Sequence, residues 1–241
     1  MLGLVNRNLG TSTIYGAPAV DVVLSRLPTT AGLAGGALAV GILVGIPIGV
    51  LAGHRPYGII DRVGVTVATL GQAIPAFVTA IILILIFAVD LRLLPSGGWG
   101  TWQTGILPIA TLALVPMSGM IRLARSAVRE VMAMPFITLA RAKGLTDAQV
   151  LITHVVRPSL LPVITFGSLQ LGVLLTGAVV TETVFAVPGV GRLVLDAVRM
   201  RDHSVVEAAV IVGAIGFIVI NFLTDVSYAI VDPRIRSRVQ R

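Results

Sequence analysis

An all-α, polytopic membrane bundle is the fold class this sequence predicts, and three observations predict it. Of its 241 residues 56% are hydrophobic and only 12% are charged, and the mean hydropathy of +0.97 lies far outside the balance of a soluble domain. Five apolar stretches, at 30–53, 63–89, 106–121, 160–187 and 205–231, approach the length of a bilayer crossing. Between them Lys and Arg are distributed unequally, twelve on one face and six on the other.

The first stretch carries Gly41, Gly45 and Gly49, a small-residue repeat suited to close helix packing, and Pro47. Pro75, Pro108, Pro116 and Pro162 lie inside later stretches and predict ordinary kinked packing, with a gating role as the alternative. The third stretch is short before Arg122, so it must continue into its polar flank or be shielded by neighbouring protein. Arg55, Arg62, Arg122, Arg125, Arg129, Arg141, Lys143, Arg157 and the four arginines after residue 233 share one face. The positive-inside rule makes that face cytoplasmic. The expected organisation is an extracytoplasmic segment at 1–29, a membrane domain at 30–231 with a cytoplasmic loop at about 122–159, and a cytoplasmic tail at 232–241. Five spans leave a polar N-terminus outside with no signal peptide to carry it there, which predicts a sixth, preceding helix.

Composition also excludes chemistry. Net charge is +7, but no soluble basic domain exists to carry it onto a nucleic acid. With no cysteine there is no disulfide framework, thiolate metal site or Cys nucleophile. Lys143 is the only lysine, and its glycine follows it where a phosphate-binding loop needs one before, so the chain has no ATPase site of that kind. His54, His154 and His203 lie in separate loops without metal-ligand spacing. Gly167 and Ser168 lack the second glycine at the expected spacing and a histidine within a later span, as a serine protease would need, and read as a small-residue helix contact. Glu182 and Asp225, the latter one turn after Asn221, are the acids inside or near spans. An ion-relay role, as in a gradient-driven secondary transporter, and simple interfacial pairing stand side by side for both.

The loop between the third and fourth stretches is built differently. Pro135 can open a short helix that presents Phe136, Leu139 and Ala140 on one side and turns Arg141 and Lys143 elsewhere. Gly144 is placed to end it in a left-handed cap. Thr146 and Gln149 have capping-box spacing, so a second short helix begins near Asp147, with Val150, Leu151, His154 and Val155 at helical spacing. Such a unit could lie on anionic lipid, but two helices set by a glycine turn are more shape-specific than lipid adsorption needs. A protein socket fits better.

The run LARAKGLTDAQVLITHVVRPSLLP, 139–162, resembles the cytoplasmic EAA loop of binding-protein-dependent ABC importer permeases, in the dipeptide, oligopeptide and nickel subgroup. Thr138, Leu139 and Ala140 stand where the general pattern has Glu-Ala-Ala, and Val156 and Arg157 where many members have Leu-Pro. TETVFAVPGVGRLVLDAV at 181–198 and LPSGGWG at 94–100 are similar to outward loops of the same permeases, and DPRIR at 232–236 to their C-terminal signature. NLGTSTIYGAPAVDVVLSRLPTT, 8–30, resembles the outer segment that follows a first helix in the first of the two membrane subunits.

The resemblance implies a six-span family and a multi-pass subunit of the bacterial cytoplasmic membrane that moves peptides by alternating access. Nickel complexes and glutathione are alternative cargoes. It implies as partners a second homologous permease, an extracytoplasmic substrate-binding protein and two ABC ATPases, which bind the ATP and Mg that this chain does not. Phe136, Leu139, Ala140, Arg141, Lys143 and Gly144 would couple to the ATPases. Glu182, Phe185, Pro188, Gly189 and Gly191 would form an outer gate loop.

Overall fold

The structure, a computed structural model, describes the backbone of residues 10–231 and every side chain within it except those at 175–177 and 223–231. The DPRIR signature therefore lies outside the described residues, as does the side chain of Asp225. Among the described residues the fold is all helix apart from one isolated bridge, Thr11 with Pro18.

Helix α1 runs unbroken over Ala19–His54, starting well before the predicted span. The added turns exist because residues 10–18 fold back on them: the Ala19 N–H donates to Gly10 O at 3.1 Å, and Ala19 and Val23 are fully buried. At Gly41–Gly45 the helix takes a π turn, and Pro47 follows at once. Proline cannot donate to the carbonyl four residues back, and a wider turn absorbs the missing bond.

The second predicted span is not one helix. It consists of α2 (Ile59–Ala73) and α3 (Ala76–Asp90), bent by 109°. Pro75 disfavours helical backbone at the residue before it, and Ile74 is extended, with φ −87° and ψ 124°. Here a predicted kink is a break.

Helix α4 (Trp102–Met132) is the axis of the fold, packing against α1, α2, α3 and α6. It continues past Arg122 into the polar flank and is also shielded, so both predicted remedies for its short apolar run apply. Thr101 caps it, with Thr104 reciprocating. Its contact with α1 is made by glycines one turn apart. A Cβ on Gly45, Gly49 or Gly53 would lie 2.9 Å from Met117 O, 2.6 Å from Ile121 O and 2.7 Å from Arg125 O respectively. No side chain fits between the backbones, which is the use of such a repeat.

After the short α5 (Pro135–Ala142), helix α6 rises through Asp147–Val150, a π turn at Leu151–Val156 before Pro158, and Arg157–Gly177. The second helix of the glycine unit is thus the first turn of a long span. The predicted fourth span to Val187 ends early, because the chain breaks at Ala178 into α7 (Val179–Val184) and then the amphipathic α8 (Val190–Arg199). Helix α9 (His203–Val231) completes the bundle. Among the described residues four helices are long and apolar enough to cross a membrane, and a fifth crossing is available from the bent pair.

Candidate functional site

Chain direction sorts the motifs onto two ends. One end carries the α1–α2 turn, the foot of α4, α5 and the start of α6. The other carries residues 10–18, the 91–101 loop, α7 and α8.

At the first end, Ile137 and Ala140 pack α5 onto Val128, Val131, Val150 and Val155 of α4 and α6. Ala140 therefore faces the core, not the same side as Phe136 and Leu139, because so short a helix must bury one stripe to be held at all. Phe136 and Leu139, three residues apart, are 42% and 58% exposed. Arg141, Lys143 and Gly144 are exposed as well. Gly144 has φ +86°, and the helix closes as expected of a left-handed cap. Its N–H donates to Arg141 O at 2.9 Å, and the Leu145 N–H reaches back to Ala140 O at 3.4 Å. Thr146 and Gln149 form the anticipated capping box. Arg141 Nε lies 3.2 Å from Asp147 Oδ1 across the turn. Val150 and Val155, five apart, both reach the core because the π turn between them adds a residue.

Sequence reasoning missed a brace beside this unit. Asp61, 3% exposed at the start of α2, accepts both Arg125 Nε and Arg125 Nη2 from α4, and also the Tyr57 N–H at 2.8 Å. The Arg129 guanidinium lies 5.8 Å from the Tyr57 ring centroid. A carboxylate two residues before an apolar run was the available signal; its partner, 64 residues away, was not.

At the second end the loop 185–189 is fixed from every side. Glu182 is fully buried. Its Oε1 accepts from Thr30 Oγ1 at 2.7 Å and its Oε2 from the Arg192 N–H at 2.9 Å. Thr30 Oγ1 in turn accepts the Val190 N–H at 2.8 Å. Two orphan donors of the first turn of α8 are thereby satisfied, and the carboxylate sits at the positive end of that helix. Glu182 is a cap, with both oxygens engaged. Phe185 is fully buried against Ala80, Leu107 and Val187, with Trp99 alongside. Its carbonyl accepts the Gly98 N–H at 2.7 Å, which joins the LPSGGWG motif to this loop.

Backbone freedom is not what the glycines of this loop provide. Gly189 has φ −97° and Gly191 is not in the left-handed region; Ala186, at +53°, is. What Gly189 and Gly191 supply is space. A Cβ on Gly189 would collide with the Glu182 carboxylate, and one on Gly191 would lie 2.8 Å from Val179 Cα. Pro188 is partly buried beside them.

A second brace closes this end. Ser12 Oγ donates to Asp202 Oδ2 at 2.6 Å and itself accepts the Ile14 and Tyr15 N–H groups, while Asp202 Oδ1 accepts the Val205 N–H at 3.4 Å. Burial pushes the Asp202 carboxyl up, but hydrogen bonds from Ser12 and from the N–H groups of Val205, Ile14 and Thr13 outweigh it and hold the group below its ordinary value. Among the described residues no three His, Cys, Asp or Glu side chains gather as a metal site.

Against known proteins, residues 45–237 match the family described as binding-protein-dependent transport system inner membrane component. The chain is 39% identical over 229 residues to the glutathione transport system permease protein GsiC of Salmonella typhi, covering 95% of this chain and 75% of that protein. It is 36% identical over 230 residues to the dipeptide transport system permease protein DppB of Lactococcus lactis subsp. cremoris, covering 95% and 76%. In fold it is similar to a chain of the MetNI methionine ABC transporter in an inward-facing crystal form, with a TM-score of 0.74 at 18% identity over 88% of this chain and 96% of that one.

Proposed function

The chain belongs to the family of binding-protein-dependent inner membrane components, as a permease component of an ABC importer, and on that premise we propose that its cargo is a peptide or a peptide-like solute such as glutathione. The names of the relatives support that class, and both cargoes are compatible with it. The end carrying α5 faces the cytoplasm, where the arginine-rich loops lie and where partner ATPases bind and hydrolyse ATP. The other end faces the binding protein. A second permease completes the translocation path.

One observation carries the coupling role: α5 is anchored by Ile137 and Ala140 while Phe136, its largest apolar side chain, and Leu139 stand exposed beside a left-handed glycine. A helix held rigidly from behind and apolar in front transmits a push, and differential contact with open and closed ATPases shifts the two-state equilibrium of the bundle. Alternating access follows from that shift. A gradient-driven reading through Glu182 finds less support, since the fully buried carboxylate caps α8, with one oxygen bound by the Arg192 N–H and the other by Thr30 Oγ1, which itself accepts the Val190 N–H.

The test is Phe136→Ala in the assembled complex. Loss of a central aromatic anchor at a protein interface costs about 2 kcal/mol of binding, so ATPase copurification, substrate-stimulated ATP turnover and peptide uptake in proteoliposomes should all fall while membrane insertion stays normal. Wild-type values in all three would remove the coupling assignment.

A further inference from the structure

A cleft of about 250 Å³ opens at the end of the bundle opposite α5, between α1 and α8. Tyr15 and Arg26 line it from one part of the chain, Pro188 and Gly189 from the gate loop, and Arg192 and Asp196 from α8. Its charged lining is two guanidinium groups and one carboxylate. Arg192 and Asp196 face each other one helical turn apart at a loose 3.8 Å, with side chains 39% and 37% exposed. The Arg26 side chain makes no hydrogen bond or ion pair with any described residue and yet Arg26 is partly buried at the cleft wall. Glu182 brings a negative charge close behind Gly189, but its oxygens accept from Thr30 Oγ1 and the Arg192 N–H, and no guanidinium reaches them. Asp202 is bound to Ser12, and Asp21 and Glu207 are exposed and do not line the cleft.

The Arg26 guanidinium is therefore without a carboxylate in contact, in the same lining as an Arg192 that is only weakly held and the phenol of Tyr15. Two arginines from separate elements, lining one cleft too small for a folded partner, offer a carboxylate charge-assisted hydrogen bonds. We propose that this cleft is a carboxylate-binding site for a molecule arriving at this end of the permease. The carboxylate is either the terminal group of a peptide or an acidic side chain of a delivering protein. The inference rests on the transport reading above for the side from which the ligand comes. Asp196 competes for Arg192 and sets the site's threshold: a ligand must displace a loose internal pair.

The experiment is arginine modification by 4-hydroxyphenylglyoxal in the intact permease–ATPase complex, held in phosphatidylcholine nanodiscs and read by peptide mass mapping. Trialanine, with a terminal carboxylate, N-acetylglutamate amide, with only a side-chain one, and trialanine amide, with none, are the probes. Modification of Arg26 and Arg192 should slow about fivefold with one or both carboxylate probes, while Arg55 at the other end reacts at an unchanged rate. Slowing by trialanine alone assigns the peptide terminus, and slowing by the glutamate probe alone assigns an acidic side chain. Arg26→Gln should abolish protection of Arg192, and Asp196→Asn should lower the probe concentration needed. Equal rates with all three probes, or equal protection by trialanine amide, would overturn the site. If ATP-driven peptide uptake proceeds while both arginines stay unprotected, this inference fails and the transport reading stands. If uptake is absent but trialanine protects, the reverse holds.

Discussion

Two phenylalanines divide this molecule. Phe136 and Phe185 each sit in a glycine-bearing connection near the end of a span, yet Phe185 is fully buried and Phe136 is 42% exposed. Around Phe185 the loop carbonyl, the Glu182 carboxylate and the Thr30 hydroxyl are all bonded to other segments. Around Phe136 only the inner stripe of α5 is held, and the outer stripe is open. The Phe185 connection is completed by this chain, whereas the Phe136 connection leaves an apolar stripe uncovered by it. On the proposed coupling role, mutations at the Phe185 end should register in the stability of the isolated subunit, and those at the Phe136 end mainly in assembly.

The largest effect should come from Gly191→Val. Its side chain has to enter space held by Val179 backbone, and overpacking of this kind costs about 3 kcal/mol. The detergent-solubilised subunit should melt markedly lower and uptake should fall, while any ATPase that still binds the folded fraction does so normally. An unchanged melting temperature would mean that α7 and α8 slide apart freely, and the contrast between the ends would be lost.

Asp202→Asn comes next. It keeps the shape but weakens the bonds from Ser12 Oγ and the Val205 N–H, for about 2 kcal/mol. The Asp202 pKa is depressed in the folded protein, so its contribution is fully present above the unfolded carboxylate value, near about 4, and is lost as pH falls through the folded value. Melting curves of wild type and variant should thus differ at neutral pH and converge in acid. A constant gap at all pH values would show that the aspartate acts by packing alone.

Gly144→Val forces a branched side chain into φ +86°, at a cost of about 1 kcal/mol. Open space surrounds the position, so only backbone strain opposes the change. The subunit should insert and melt nearly as wild type, yet bind ATPases less well because the angle between α5 and α6 shifts. Gly144→Asn, which tolerates that backbone better, should be milder. Equal binding by both would separate α5 from coupling.

Least of all should follow from Arg141→Gln. The pair with Asp147 is 3.2 Å long but its side chains are 46% and 68% exposed, and such pairs contribute under about 0.5 kcal/mol. A melting shift beyond that, or one that resists high salt, would mark Arg141 as part of the turn's framework instead of the open surface.

Much of this was legible beforehand where the determinants are local. The left-handed Gly144, the Thr146–Gln149 box and the opening of α5 at Pro135 each depend on residues within a few positions of one another, and backbone sterics and capping act at that range. The extension of α4 past Arg122 was likewise implied by the shortness of its apolar run. The span ends were less accurate. Hydropathy measures transfer to lipid, while α1 begins at Ala19 because the folded-back residues 10–18 bury it, and α6 ends at Gly177, where the chain breaks at Ala178 into α7 although the apolar run continues.

By itself the sequence determined the helical membrane class, the division of charge between two ends, the family and the glycine-capped unit at one end. Hydropathy, period and capping are properties of consecutive residues, and no distant contact is needed to read them. Tertiary structure alone decided that Ala140 faces inward, that Pro75 breaks rather than bends its span, that Asp61 finds Arg125, and that Glu182 caps α8 with Thr30. Asp61 and Arg125 are 64 residues apart and Thr30 and Glu182 are 152 apart, and pairings of that kind are made only when the helices have closed around α4; which stripe of α5 turns inward and whether Pro75 bends or breaks its span depend on what packs there as well as on the neighbouring residues.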